Sequence, residues 1–232
     1  MKRTQSSWRV RLALGAFAML YRNATLYWLA STIPFAGQWR VWQRLVLPRL
    51  RGHDVLEVGC GTGWLLGDML AAGYACQAID ASPQMVRASM RTLRRRGFAA
   101  QANSVRVARA QALPFADDHF DSVVSTFPAP YIADPVTLHE IARVLRPGGR
   151  LIIIEGAQLL PRNPLLGILV GIQQMVYGRA AVQGPPQAEG MTALLRRLPL
   201  DSAGLIPSQE IVDGPFWRVY IVYGTKPLAT SG

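Results

Sequence analysis

From position 54 onward, short apolar runs alternate with stretches of helical period. The runs predict strands at 54–58, 76–80, 105–108, 120–126 and 150–155. Between them, 63–72, 83–95 and 135–145 repeat apolar residues at helical spacing. Ser82 caps the second of these helices with Pro83 at its first position. Pro147-Gly148-Gly149 ends the third and turns the chain into the fifth strand. The rhythm changes after 155: a Pro/Gly-rich apolar stretch leads to a short helix near 192–198 and then to runs at 208–212 and 216–223. Only Asp213-Gly214-Pro215 separates those last two runs, and a link that short allows only antiparallel pairing. The expected fold is α/β: a doubly wound, Rossmann-like seven-stranded sheet, mostly parallel with a C-terminal antiparallel hairpin, plus an N-terminal helical extension.

Composition adds one constraint. The 232 residues are 50% apolar, enough for one sizeable core. Lys and Arg number 25 against 14 Asp and Glu, a net charge of +11. Within 1–53 the cations Lys2, Arg3, Arg9, Arg11, Arg22, Arg40, Arg44, Arg49 and Arg51 meet no acid. A second zone, Arg87 to Arg109, also lacks acids. That asymmetry points to an anionic surface, membrane or nucleic acid. The uncharged run 12–21 imitates a signal peptide without a small-residue cleavage site, and Arg22 and Asn23 leave it too short to span a bilayer. Trp39, Trp42, Leu45 and Val46 fall on one helical face opposite Arg40, Gln43 and Arg44. Such a face suits a membrane interface, or packs over the domain and caps a pocket. Cys60 and Cys76 are too few for a disulfide framework, which favours a reducing interior, and they lack the His spacing of a metal site.

The chemistry concentrates in Val55-Leu56-Glu57-Val58-Gly59-Cys60-Gly61-Thr62-Gly63, a strand entering a glycine-rich turn before a helix. The spacing fits neither the dinucleotide fingerprint nor a Walker loop. Glu57, two residues before the first glycine, suits a ligand carrying an ammonium group and repels a pyrophosphate. Asp80, at the end of the second strand, is placed to accept two ribose hydroxyls. An ammonium and a ribose together describe S-adenosylmethionine.

These residues resemble the class I S-adenosylmethionine-dependent methyltransferases over roughly 52–227. So do Ala78-Ile79-Asp80-Ala81-Ser82 with Met85, Ala110-Gln111-Ala112-Leu113-Pro114-Phe115, Phe120-Asp121-Ser122-Val123-Val124 and the run ending Arg146-Pro147-Gly148-Gly149. The Ala112-to-Phe115 and Val144-to-Gly149 runs are most similar to the subgroup that includes quinone-biosynthesis and small-molecule methyltransferases. The resemblance implies that Gly59, Cys60, Gly61 and Gly63 cradle the methionine side with Glu57 supporting its amino group. It also implies that Asp80 takes the ribose, that Ala81, Ser82 and Met85 lie near ribose and adenine, and that Ala110 and Gln111 line the adenine slot. Arg109 departs from it: the family carries Asp or Asn there to receive the adenine amino group, and arginine has no acceptor.

The organisation expected is 1–51 as a basic amphipathic helical extension, cap or membrane contact, and 52–232 as the methyltransferase domain with an apolar lid at 157–190. Ligands in open α/β sheets sit beyond the carboxyl ends of strands, which makes Glu155 and Tyr131 the candidate catalytic groups. His139 falls inside a helix away from that edge, where packing or surface is expected, and His119 in a polar turn, where a solvated loop is expected. The expected activity is methyl transfer to a hydrophobic small-molecule or lipid-like acceptor. The protein would be cytoplasmic, on the inner face of an anionic membrane, with S-adenosylhomocysteine as product. An RNA methyltransferase, for which the Arg excess alone speaks, and a non-catalytic cofactor-binding or partner-binding protein, motivated by Arg109, are the alternatives.

Overall fold

Period-two alternation sorts the strand side chains onto two faces, and each face is covered by helices. The computed structural model describes residues 35, 37–128, 130–177, 195 and 197–229. Its strands are β1 (Asp54–Val58), β2 (Ala75–Asp80), β3 (Val105–Val107), β4 (Phe120–Thr126), β5 (Leu145–Leu159), β6 (Ile206–Asp213) and β7 (Trp217–Thr225). They form one sheet in the order β3-β2-β1-β4-β5-β7-β6. β1 to β5 pair in parallel, and β7 runs antiparallel to both β5 and β6. The helices are α1 (Trp39–Arg44), α2 (Trp64–Ala71), α3 (Pro83–Arg95), α4 (Pro135–Val144) and α5 (Pro164–Tyr177). Val55, Ala78, Val124, Ile152 and Ile221 pack beneath Trp42 of α1, Leu66 and Met69 of α2 and Leu93 of α3. Leu56, Ile79, Val123, Ile153 and Val222 face α4 through Leu138 and Ile141. The order reverses at β1, between β2 and β4, so the crevice opens at the carboxyl ends of those strands.

The largest departure from the expected elements is β5. It spans 145–159 where 150–155 is expected, because each end finds a partner that local pattern does not reveal. Leu145 already pairs with Phe120, so Pro147-Gly148-Gly149 lies inside the strand rather than in a turn before it. Past Ile154 the strand shifts register and continues against β7 as far as Leu159 opposite Trp217. Glu155 therefore sits at that register shift and not at a strand end.

Three of the four cations of residues 40–51, Arg40, Arg44 and Arg49, are answered by acids distant in sequence, and Arg51 donates to Gly148 O. Asp68 of α2, buried, accepts from Arg40 Nη2 at 2.7 Å and from Arg96 Nη2 at 2.8 Å, with Arg44 Nε at 3.6 Å. Arg49 pairs with Glu210 of β6 and donates to Tyr223 Oη at 3.0 Å. Trp42 and Val46 lie fully in the core, and Trp39 and Leu45 are half-buried, so much of the apolar face of this segment packs over the domain. The run at 12–21 lies outside the described residues, as do most of 192–198 and residues 178–190 of the expected lid.

The described part of that lid is α5. Asn163 caps it, its side-chain oxygen accepting from Leu166 N at 2.8 Å. Leu169 and Val170 pack on the core, whereas Leu165 and Ile168 are 81% and 67% exposed. Among the described residues no helix is long and apolar enough to cross a membrane.

Asp68→Ala leaves Arg40 and Arg96 without their carboxylate. Breaking a buried ion pair costs about 3 kcal/mol, so urea unfolding should show a loss of that order, with Arg44→Ala, an exposed partner, costing far less.

Candidate active site

At the end of β1 the chain must leave the sheet with its backbone N–H groups satisfied, and β2 supplies the acceptors. Ile79 O accepts from Gly59 N at 2.9 Å and from Cys60 N at 3.0 Å. Asp80 Oδ2 accepts from Gly61 N at 2.9 Å, and its Oδ1 from Ser82 N at 2.8 Å. Gly59, Gly61 and Gly63 have φ of 76°, 52° and 74°, the left-handed region that side chains disfavour. Two of the three are also hemmed in: a Cβ on Gly59 would collide with Tyr131 Oη, and one on Gly63 would sit 2.9 Å from Ser89 Cα. A Cβ on Gly61 would meet nothing within 4 Å, so the backbone there faces open space where a ligand can approach.

Glu57 lies just below this turn, 2% exposed, and its Oε2 has no hydrogen-bond partner. Burial, then the nearby Asp80 and Asp68 charges, push its pKa up to about 8, while the Leu66 backbone N–H pulls it down. An isolated buried carboxyl avoids ionising unless a cation arrives. Asp80 is raised by burial and held back by its two N–H donors. Burial raises Cys60 well above the ordinary thiol range, with Glu57 and Asp80 adding to the effect, so it is packing and not a nucleophile.

The other expected site residues gather along the same edge. Ser82 caps α3 through Met85 N, Met85 is fully buried, and Ala81 links β2 to that cap. Ala110 is buried, and the turn containing it is tied to β2 by Ala108 N donating to Asp80 O at 3.2 Å. Gln111 Nε2 donates to Asp134 Oδ2 at 3.1 Å. Arg109 is exposed, so it does not fill the buried slot beside Ala110. Asp134 was not among the expected residues; its place before Pro135 reads as a helix cap, which it is, accepting from Val136 N at 3.0 Å.

Tyr131 and Glu155 differ in what they can do. Tyr131 Oη lies 3.1 Å from Ser125 Oγ, donates to Val58 O at 3.2 Å and rests against Gly59. Glu155 is half-buried, and burial raises its pKa while Arg197 lowers it. His139 is exposed on α4. His119, expected in a solvated turn, is half-buried with its ring edge-on to Phe120 at 4.7 Å.

A sheet in this order, with a glycine turn after β1 and a carboxylate ending β2, is the fold of the class I S-adenosylmethionine-dependent methyltransferases. Residues 56–153 match the family described as a methyltransferase domain. A demethylmenaquinone methyltransferase from Mycobacterium sp. (strain JLS) is 37% identical over 136 residues, covering 57% of this chain and 55% of that protein. The chain thus spans about half the length of the curated relatives it matches. Among solved structures, a geranyl diphosphate C-methyltransferase from Streptomyces coelicolor A3(2) superposes with TM-score 0.54 at 15% identity, covering 81% of this chain and 79% of that one. A SAM-dependent methyltransferase from Aquifex aeolicus does so with TM-score 0.52 at 21% identity, covering 79% and 88%.

The open approach at Gly61 and the orphaned Glu57 oxygen fit a cofactor with a cationic amino group. Below pH 8 Glu57 holds a proton that an ammonium would displace, so binding of S-adenosylhomocysteine should tighten as pH rises from 6 to 8. The limit is about ten-fold per pH unit. Calorimetry in buffers of different ionisation enthalpy should register proton release at pH 6.5, and Glu57→Gln should flatten the profile and weaken binding.

Proposed function

We propose that this protein transfers a methyl group from S-adenosylmethionine to a hydrophobic, quinone-like small molecule that it meets at an anionic membrane surface. The observation that carries this reading is the acid-floored glycine turn with open space above Gly61, beside the carboxylate that ends the neighbouring strand. Glu57 receives the amino group, the glycine turn passes beneath the methionyl chain, and Asp80 accepts the ribose hydroxyls. Ala81, Ser82 and Met85 border the ribose and adenine. Asp134 orients the Gln111 amide, leaving the amide oxygen for the adenine amino group in place of the acid missing at Arg109.

When bound, the cofactor supplies a methyl on a sulfonium: the acceptor's electron pair forms the new bond as the carbon–sulfur pair returns to sulfur. This chain's contribution is alignment and exclusion of water, the source of most of the acceleration in such transfers. Tyr131, tied to Val58 O and Ser125, positions the turn at Gly59. Glu155, its pKa raised by burial, takes the acceptor's proton.

The names of the mycobacterial relatives support a quinone-like acceptor. The charge-free α5 with Leu165 and Ile168 outward, and the exposed Arg87, Arg91, Arg94 and Arg95 of α3, support contact with an anionic bilayer.

Labelled methyl from S-adenosylmethionine should appear in an apolar extract incubated with the protein. Asp80→Ala should weaken cofactor binding by about 30-fold or more, the loss of a charge-assisted hydrogen-bond pair. The protein should sediment with phosphatidylglycerol vesicles and be released by salt. Full solubility with those vesicles removes the membrane part of the reading and leaves the transferase part standing.

A further inference from the structure

The carboxyl ends of β4 and β5 carry an aromatic group that none of the roles above uses. Trp39 of α1 stacks on Phe127, with centroids 4.1 Å apart and planes at 29°. Trp42 and Trp217, both buried, back this pair, Trp42 lying 6.2 Å from Phe127 and 6.3 Å from Trp217. Gln43 Nε2 donates to Thr126 Oγ1 at 3.1 Å and fastens α1 over the end of β4. Phe127 follows three residues after Val124, which pairs with Glu57, so it stands level with the glycine turn.

Phe127 also has a φ of 49°, one of two non-glycine residues in the left-handed region among those described. Its N–H donates to Ile154 O at 2.8 Å. A bulky aromatic is disfavoured in that conformation, where glycine would sit without strain. Core filling alone does not require a strained ring at this position, since Trp42 and Trp217 already occupy the interior. Strained residues persist where the surroundings hold them, and they cluster at ligand clamps. Phe35 lies tilted against Trp39 at 5.1 Å, and both Trp39 and Phe127 keep part of their surface exposed.

We infer that Trp39 and Phe127 are specificity-determining residues, forming a stacking wall that selects a planar aromatic acceptor over an open hydrocarbon chain. This deepens the methyltransferase reading and rests on it. An isoprenoid chain is served equally by any aliphatic wall, whereas an aromatic pair gains from an offset third ring. The wall comes in part from the segment before the catalytic domain, so that segment shapes the choice of acceptor.

The test is equilibrium binding of 1-naphthol and of farnesol to the full chain in the presence of S-adenosylhomocysteine. Phe127→Gly removes the ring and relieves the backbone, while Trp39→Leu keeps apolar bulk and Trp39→Phe keeps a ring. Phe127→Gly and Trp39→Leu should each weaken 1-naphthol by about five- to ten-fold, the worth of an aromatic contact. Trp39→Phe should recover most of the loss, with S-adenosylhomocysteine affinity and farnesol binding unchanged. Equal affinity of the unmodified protein for the two probes overturns the inference. So does undiminished 1-naphthol binding in the variants, or a loss that Trp39→Phe does not recover. Failure of the unmodified protein to bind S-adenosylhomocysteine instead overturns the transferase reading itself.

Discussion

The end of β1 is held by the end of β2, and the site is built on that attachment. Ile79 O takes two N–H groups of the glycine turn, and Asp80 takes a third through its side chain. A strand that leaves a parallel sheet must find such acceptors or bury unpaired donors, which costs more than the hydrogen bonds themselves return. With the turn caught there, Gly63 can open α2 close against Ser89, and α2 comes down over Glu57. Asp80 consequently has two duties. On the proposed reading, the carboxylate that would take the ribose is also the one that keeps Gly61 in place, so loop shape and ligand recognition would be altered together at this residue.

Two buried acids near this turn show opposite solutions to the same electrostatic problem. Asp68 draws in Arg40 and Arg96, and the cost of its burial is offset by direct pairing. Glu57, on the strand below, has no ion pair among the described residues, and its carboxyl is held in the protonated range up to about pH 8. With a net charge of +11, the sequence is not short of cations, yet among the described residues two arginines answer Asp68 and none answers Glu57. An unanswered buried acid lowers stability and persists where a ligand answers it.

What could be read in the chain follows from the range of each interaction. α3 runs over Pro83–Arg95, the limits its cap and periodicity announce, because Ser82 and Pro83 act within one turn. The glycine spacing and the hairpin around Asp213-Gly214-Pro215 are equally local. β5 exceeds its expected span because its ends are set by Phe120 on one side and by Trp217 on the other. That also moves Glu155 from a strand end into a register shift. The absence of acids in the first 53 residues looked like a demand for an anionic partner. For Arg40 and Arg49 the partners are Asp68 and Glu210, 28 and 161 residues away, beyond any window of pattern. Nothing in Ser125-Thr126-Phe127-Pro128 signals a left-handed Phe127, since Trp39, Trp42 and the Ile154 carbonyl, all distant in sequence, hold it there.

α1 shows how these ranges combine. Six residues are too few for a helix stable by itself, so its position is decided entirely by what it touches. It is tied to α2 by Arg40 and Asp68, to β4 by Gln43 and Thr126, and to the core by Trp42. The charged tie lies on the helix that follows the glycine turn, and Trp39 stacks on Phe127 just past the end of β4. Both contacts are made by the single element whose basic, aromatic composition first set the N-terminal segment apart.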